Sequence, residues 1–157
     1  GQVRWQCHYV NDKHEGEYKS WYDTGHILLR CTYVNDKRAG KFMLWYSNEQ
    51  LNIECNYING TREGEYTVWY LNGQMKERKY YINGELDGKC NEWHDNGSLK
   101  VQCNYTKGVF TGVYNSWFRN GQMNAYYNYV NGEFEGEYRV WSIDGTLVEH
   151  YNYVQGK

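Results

Sequence analysis

Tyr129-Val130-Asn131-Gly132-Glu133-Phe134-Glu135-Gly136-Glu137-Tyr138-Arg139-Val140-Trp141-Ser142-Ile143-Asp144-Gly145 is the stretch from which the whole chain is made. Counting back in steps of 24 residues from Trp141 lands on Trp117, Trp93, Trp69, Trp45 and Trp21 with no insertion or deletion. The same step from Tyr153 passes through Tyr129, Tyr105, Tyr81, Tyr57, Tyr33 and Tyr9, and from Gly136 through Gly112, Gly88, Gly64, Gly40 and Gly16. Self-similarity at a fixed period of this size marks a solenoid, a propeller or an open array. Residues 1–157 therefore read as one array, with units 1–24, 25–48, 49–72, 73–96, 97–120 and 121–144 and a partial unit 145–157.

Each unit offers two runs of strand composition separated by two turn signals. In the first they are Val3 to Val10 and Gly16 to Tyr22, with turns at Asn11-Asp12 and Asp23-Thr24-Gly25. Later units sharpen the turns to Asn-Gly, at Asn59-Gly60, Asn72-Gly73, Asn83-Gly84, Asn96-Gly97, Asn120-Gly121 and Asn131-Gly132. Asn-Gly between alternating hydrophobics is the strongest short hairpin signal. Proline is absent and no window has a helical period. The expected fold is all-β: a single-layer antiparallel meander of tandem β-hairpins, forming an elongated twisted ribbon or open solenoid.

Strand side chains alternate between faces. The sets Val3-Trp5-Cys7-Tyr9, Ile27-Leu29-Cys31-Tyr33, Leu51-Ile53-Cys55-Tyr57 and Leu99-Val101-Cys103-Tyr105 give an apolar face, and the intervening residues give a polar one. A two-residue turn at the second site lays Tyr18 opposite Cys31, Ser20 opposite Leu29 and Tyr22 opposite Ile27. It also lays Cys90 opposite Cys103, near enough for a cross-strand disulfide, and leaves the Trp register on the polar face. A three-residue turn with a bulge needs positive φ only at Gly25, pairs Trp21 with Ile27 and sends Cys90 and Cys103 to opposite faces. Thr24 and the pairing of Trp with an aliphatic residue favour the bulge, whereas the repeated Asn-Gly and the apolar count favour the tight turn. The Gly16 register reads as a strand glycine that leaves room for an aromatic ring, here that of Tyr9 and its equivalents.

Strands about 4.8 Å apart make a ribbon roughly 60–65 Å long and one layer thick. A single layer with an apolar face exceeds what soluble monomers usually leave open. The face must either be sheltered by its own large side chains or meet a partner. Gly1 has the register of Gly25 and Tyr153-Val154-Gln155-Gly156 that of Tyr129-Val130-Asn131-Gly132, so neither end carries an atypical polar repeat. Open edges pair with other strands. The expectation is a window cut from a longer array, or copies that stack end to end.

Composition narrows the function classes. A net charge of −2 with a sequence pI of 6.2 leaves no electrostatic footprint for nucleic acid. Mean hydropathy is −0.96 although 18% of residues are aromatic, so the apolar material lies in Tyr and Trp, whose tips are polar. No apolar run has the length of a membrane-spanning helix, and the N-terminal Gly-Gln-Val-Arg-Trp lacks the features of a signal peptide. His8, His14, His26, His94 and His150 occupy five different phases of the repeat, which argues against a metal site. Glu15/Glu17, Glu63/Glu65 and Glu135/Glu137 resemble catalytic pairs only in spacing and read as surface charge. Neither a phosphate loop nor a nucleophile elbow is present, so no enzymatic activity and no cofactor are expected. Cys7, Cys31, Cys55 and Cys103 share one phase, separated by about 10 Å for each intervening unit, and read as small buried thiols. An odd cysteine count favours a reducing intracellular compartment, or a virus particle, over secretion. Asn59, Asn96 and Asn104 match glycosylation acceptors of the kind that turn-rich Asn sequences produce by chance.

The pattern Tyr-x-Asn-Gly-x-x-x-Gly-x-Tyr-x-x-Trp-Tyr-x-Asn-Gly, read from Tyr57 to Gly73, resembles MORN repeats over the whole chain. The resemblance is to the variant found in long arrays of bacterial and large-DNA-virus proteins, and the richness in Asn and Tyr without Pro fits AT-rich coding from such a source. The resemblance implies stacked β-hairpins with an aromatic-lined groove and a scaffolding or interaction role, with lipid association in some members. The chain departs from the commoner pattern in placing Trp before the turn, and in having Cys90 and His94 in the fourth unit. Trp69 to Met75 is also locally similar to choline-binding repeats. The expected function is a non-enzymatic structural scaffold mediating protein–protein assembly, including self-assembly through its edge strands. The alternative is a module that binds lipid headgroups or glycan. Candidate groove residues are Tyr33, Tyr57, Tyr81, Tyr105 and Tyr129 with Trp45, Trp69, Trp93 and Trp117, and candidate edge contacts are Trp5, Tyr9, Tyr151 and Tyr153.

Overall fold

The computed structural model describes residues 4–157. Gly1 and Val3, which entered the sequence reading, lie outside the described residues. The fold is an all-β meander in which strands follow chain order without a crossover. After the short Trp5–Gln6 the sheet runs through Gly16–Trp21, Ile27–Val34, Lys37–Trp45, Leu51–Ile58, Gly64–Trp69, Met75–Ile82 and Gly88–Trp93. It continues through Leu99–Thr106, Val109–Trp117, Met123–Val130 and Glu133–Trp141, and its path ends at Leu147–Tyr153 without closing into a barrel. The expected first strand from Val3 to Val10 is broken at Cys7 and His8, and Tyr9–Val10 pairs with Lys13–His14 in a separate small sheet.

Two turn types alternate, and Asn-Gly serves both. At Asn59-Gly60, Asn83-Gly84 and Asn131-Gly132 both residues have positive φ, as do Lys107-Gly108, Asn35-Asp36 and Asn11-Asp12. These are two-residue type I′ turns, whose twist matches that of the flanking strands. At Gly73, Gly97 and Gly121 only the glycine is left-handed. There Gly73 N–H donates to the Tyr70 carbonyl at 2.9 Å and Tyr70 N–H to the Gln74 carbonyl at 2.8 Å, a turn closed by a glycine bulge. Asn72 caps it by accepting the Gln74 N–H at 3.0 Å.

The two alternatives for strand pairing are both realised, one after the other, in each hairpin. Next to the turn Trp21 pairs with Ile27, as a three-residue turn requires. One residue further the register shifts, and Ser20 pairs with Leu29 and Tyr18 with Cys31, as a two-residue turn would require. A second bulge thus cancels the first. Tyr22 does not face Ile27; its N–H donates to the His26 carbonyl at 2.8 Å. The same shift recurs between Leu44 and Trp45, Glu92 and Trp93, Ser116 and Trp117, and Val140 and Trp141.

The Gly16 register has a different cause from the one expected. All six glycines, Gly16, Gly40, Gly64, Gly88, Gly112 and Gly136, have φ between 69° and 107°. A Cβ on Gly16, Gly40, Gly64 or Gly136 would meet nothing within 4 Å, so no ring fills the space. The glycine is selected by a left-handed backbone, where an L side chain is strained. At this point the second strand of the unit bulges, and in three units it is interrupted at Glu15, Glu63 and Asp87.

The core lies within the sheet's own apolar face. Cys31, Phe42, Cys55 and Tyr57 are buried, with Tyr18, Leu29, Tyr33, Leu44, Ile53 and Tyr66 packed around them. Three side-chain ladders join one hairpin to the next. The hydroxyls of Tyr22, Tyr46 and Tyr70 donate to the carbonyls of Trp45, Trp69 and Trp93 at 2.8–2.9 Å. Asn48, Asn72, Asn96 and Asn120 donate their amides to the carbonyls of Leu71, Asp95, Arg119 and Ile143. The carboxylates of Glu15, Glu63, Asp87 and Glu135 accept the turn N–H groups of Asn35, Asn83, Lys107 and Gln155 at 2.7–3.2 Å. The carboxylates read as surface charge therefore divide. Those at the bulge hold the following turn, whereas Glu17 pairs with Lys19 and Arg30 on the polar face.

Candidate interaction surface

The Tyr register follows from the type I′ turns. A two-residue turn at Asn35-Asp36 pairs Tyr33 with Arg38, and its equivalents pair Tyr57 with Arg62, Tyr81 with Leu86, Tyr105 with Phe110 and Tyr129 with Phe134. Directly paired side chains share a face. The result is one row along the sheet, from Tyr9 and His14 through Tyr33, Arg38, Tyr57, Arg62, Tyr81, Leu86, Tyr105, Phe110, Tyr129 and Phe134 to Tyr153. The second member of each pair was missed in the sequence because its chemistry varies from unit to unit. Counting outward from the turn two residues after each Tyr of the row, Asn59-Gly60 among them, as a two-residue turn would have found it.

The row changes character along its length. In the first half it is cationic: Arg38 lies 4.9 Å from the Phe42 ring centroid and 5.5 Å from that of Tyr57, and Arg62 lies 4.9 Å from Tyr66 and 5.6 Å from Tyr81. Arg62 Nε also donates to the Tyr57 hydroxyl at 3.3 Å. In the second half it is a stack of rings: Tyr105–Phe110 at 4.3 Å, Phe110–Tyr129 at 5.2 Å, Tyr129–Phe134 at 4.8 Å and Phe134–Tyr153 at 5.2 Å between centroids. A second line runs beside it, with Tyr114–Tyr127 at 4.4 Å and Tyr127–Tyr138 at 5.3 Å. Burial in this double stack raises the phenol pKa of Tyr127, and burial with the nearby Cys103 pushes that of Tyr105 up to about 12.

The candidate Trp residues stand elsewhere. Trp45 pairs with Leu51 near one end of the strand whose other end carries Tyr57. Six residues of strand separate the two by about 20 Å. Trp45, Trp69, Trp93 and Trp117, all half-buried, therefore form a line along one long margin of the ribbon and the Tyr row lies towards the other. The structure does not bring them into one groove. Of the edge residues Trp5, Tyr9 and Tyr151 are exposed and Tyr153 is half-buried, closing the aromatic stack.

The histidines stay apart. His14 bonds the Tyr9 hydroxyl at 2.8 Å and faces Asp36, His26 pairs with Glu49, and His150 lies 3.6 Å from Glu137. His94 takes the place of Tyr in the hydroxyl ladder, bonding the Trp117 carbonyl through Nε2 at 2.9 Å. A carbonyl only accepts, so the proton is on Nε2. Among the described residues no group of three His, Cys, Asp or Glu side chains is arranged to hold a metal.

Register, turns and ladders together define an open array of stacked β-hairpins with an aromatic row on one face. The family described as MORN repeat variant matches residues 15–35, 62–83 and 86–107, three hairpins of this array. These three segments are thus MORN repeats of the variant type, and each spans a hairpin closed by a three-residue turn. Comparison with curated proteins finds no match. Repeats of this family are associated with protein and membrane binding.

Proposed function

We propose that this array is a non-enzymatic scaffold that assembles protein partners, including copies of itself, through its edge strands and aromatic face. The carrying observation is the sheet's margin. Among the described residues Leu147–Tyr153 is paired on one side only, and Leu147, Val148 and Tyr151 on it are 47%, 61% and 53% exposed. A long edge strand with exposed apolar side chains is a template for strand addition. At the other end Trp5 and Tyr9 are likewise exposed. Replacing Trp5, Tyr9, Tyr151 and Tyr153 together by Ser should abolish association while leaving the β circular-dichroism spectrum intact. Unaltered association of a folded variant would contradict assembly through the edges.

A second reading rests on the cationic half of the row. His14, Arg38 and Arg62 alternate with Tyr33, Tyr57 and Tyr81, an arrangement of fork donors and phenols suited to an anionic lipid headgroup or a glycan. Cosedimentation with anionic liposomes or with insoluble glycan, lost in Arg38→Gln/Arg62→Gln, would support it. Failure to sediment with either would remove it.

A further inference from the structure

The fourth unit breaks the pattern of the apolar face. Along the central cross-strand pairs the face reads Tyr18–Cys31, Phe42–Cys55, Tyr66–Lys79, Cys90–Cys103, Tyr114–Tyr127 and Tyr138–Tyr151. Cys90 stands where every other unit has a ring, and it meets a second thiol directly across the strands. Both are free and each is 3% exposed. Directly opposed strand residues have Cα atoms about 4.5–5.5 Å apart, inside the roughly 4.4–6.8 Å that a disulfide spans. Charge gathers at the same place. Lys79 and Glu77 form an ion pair on the preceding strand, and Glu77 pairs with Glu92 beside the two cysteines. The hydrogen bond from Cys103 and the Lys79 cation hold the Cys90 thiol below its ordinary range.

We propose that Cys90 and Cys103 are a hydroperoxide-responsive dithiol that closes to a cross-strand disulfide on the apolar face, where the fourth unit meets the fifth. The Cys90 thiolate attacks one peroxide oxygen, the O–O bond breaks, and the pair becomes a sulfenic acid and, after protonation, water. The Cys103 sulfur then attacks the Cys90 sulfur, and the S–O bond breaks. The hydroxide leaves as water with the Cys103 proton. Two thiols and one hydrogen peroxide give one disulfide and two waters. The bond staples the hairpin Gly88–Trp93/Leu99–Thr106, where the cationic half of the row gives way to the stacked half. A thiol reductant reverses it. Cys31 and Cys55 face aromatic rings instead and have no such partner.

The test treats the full chain with one equivalent of hydrogen peroxide, then alkylates, denatures and maps peptides by mass. The expected product has lost two hydrogens, is crosslinked between Cys90 and Cys103, and keeps Cys31 and Cys55 alkylatable. Cys103→Ser should stop at the sulfenic acid on Cys90, trapped by dimedone. Lys79→Gln, which removes the cation that helps hold the Cys90 thiol down, should slow oxidation severalfold. Equal modification of Cys31, Cys55 and Cys90, or an unchanged rate in a folded Lys79→Gln variant, would overturn the proposal.

Discussion

Glu49 holds the left-handed position of a three-residue turn at φ 67°, where the equivalent turns use Gly25, Gly73, Gly97, Gly121 and Gly145. The strain of an L residue there is about 1–2 kcal/mol. Its exposed pairing with His26 returns at most about 1 kcal/mol. The added chain freedom of glycine costs a further ~0.4–1 kcal/mol, so Glu49→Gly should stabilise the protein only slightly, by about 0.5 kcal/mol, read as a higher denaturant midpoint at unchanged slope. Gly64→Ala tests the converse. A Cβ there would meet nothing within 4 Å, yet φ is 80°. A loss of about 1–2 kcal/mol is expected from the backbone alone, and an unchanged midpoint would show that the bulge does not select glycine. The ladders are tested by Tyr70→Phe, which removes the 2.9 Å bond to the Trp93 carbonyl. The expected cost is about 1 kcal/mol.

Within the hairpin, period and strand composition were legible in the sequence because Trp, Tyr and Gly recur without a gap. The turns were legible only in part. Asn59-Gly60 and Asn72-Gly73 are the same dipeptide, and what separates them is the following strand, where a second bulge at Lys76 restores the register. An extra residue in a bulge leaves no compositional trace, so parity was undecidable and each alternative described half of the hairpin. The row of phenols was visible, but its partners His14, Arg38, Leu86 and Phe110 share a place without sharing chemistry. The stacked half of that row carries a pH signature. Tyr105, Tyr127, Tyr129 and Tyr138 all have raised pKa values, with burial the largest cause. A folded-state pKa above the unfolded one means stability that is full below pH 10 and lost as pH rises through the folded value, for Tyr105 between 10.0 and about 12. Alkaline titration should show phenolate absorbance and loss of β structure rising together in that window. Complete ionisation of the tyrosines near pH 10 with the sheet intact would contradict the packing described.

Across the described residues the main contacts of each strand are with its neighbours in the sheet, so stability is a sum of units and interfaces. Excising residues 73–96 should leave a folded array of lower stability, because Leu71-Asn72 then meets Gly97 in the register in which it now meets Gly73. The edges remain. The most direct measurement of the central claim is light scattering after size exclusion over a range of concentrations, with negative-stain images of the same fractions. Assembly through the edge strands predicts mass growing with concentration and rods whose length is a multiple of roughly 60–65 Å. A monomer at every concentration would contradict it and leave the aromatic row as the surface to which ligands must be sought.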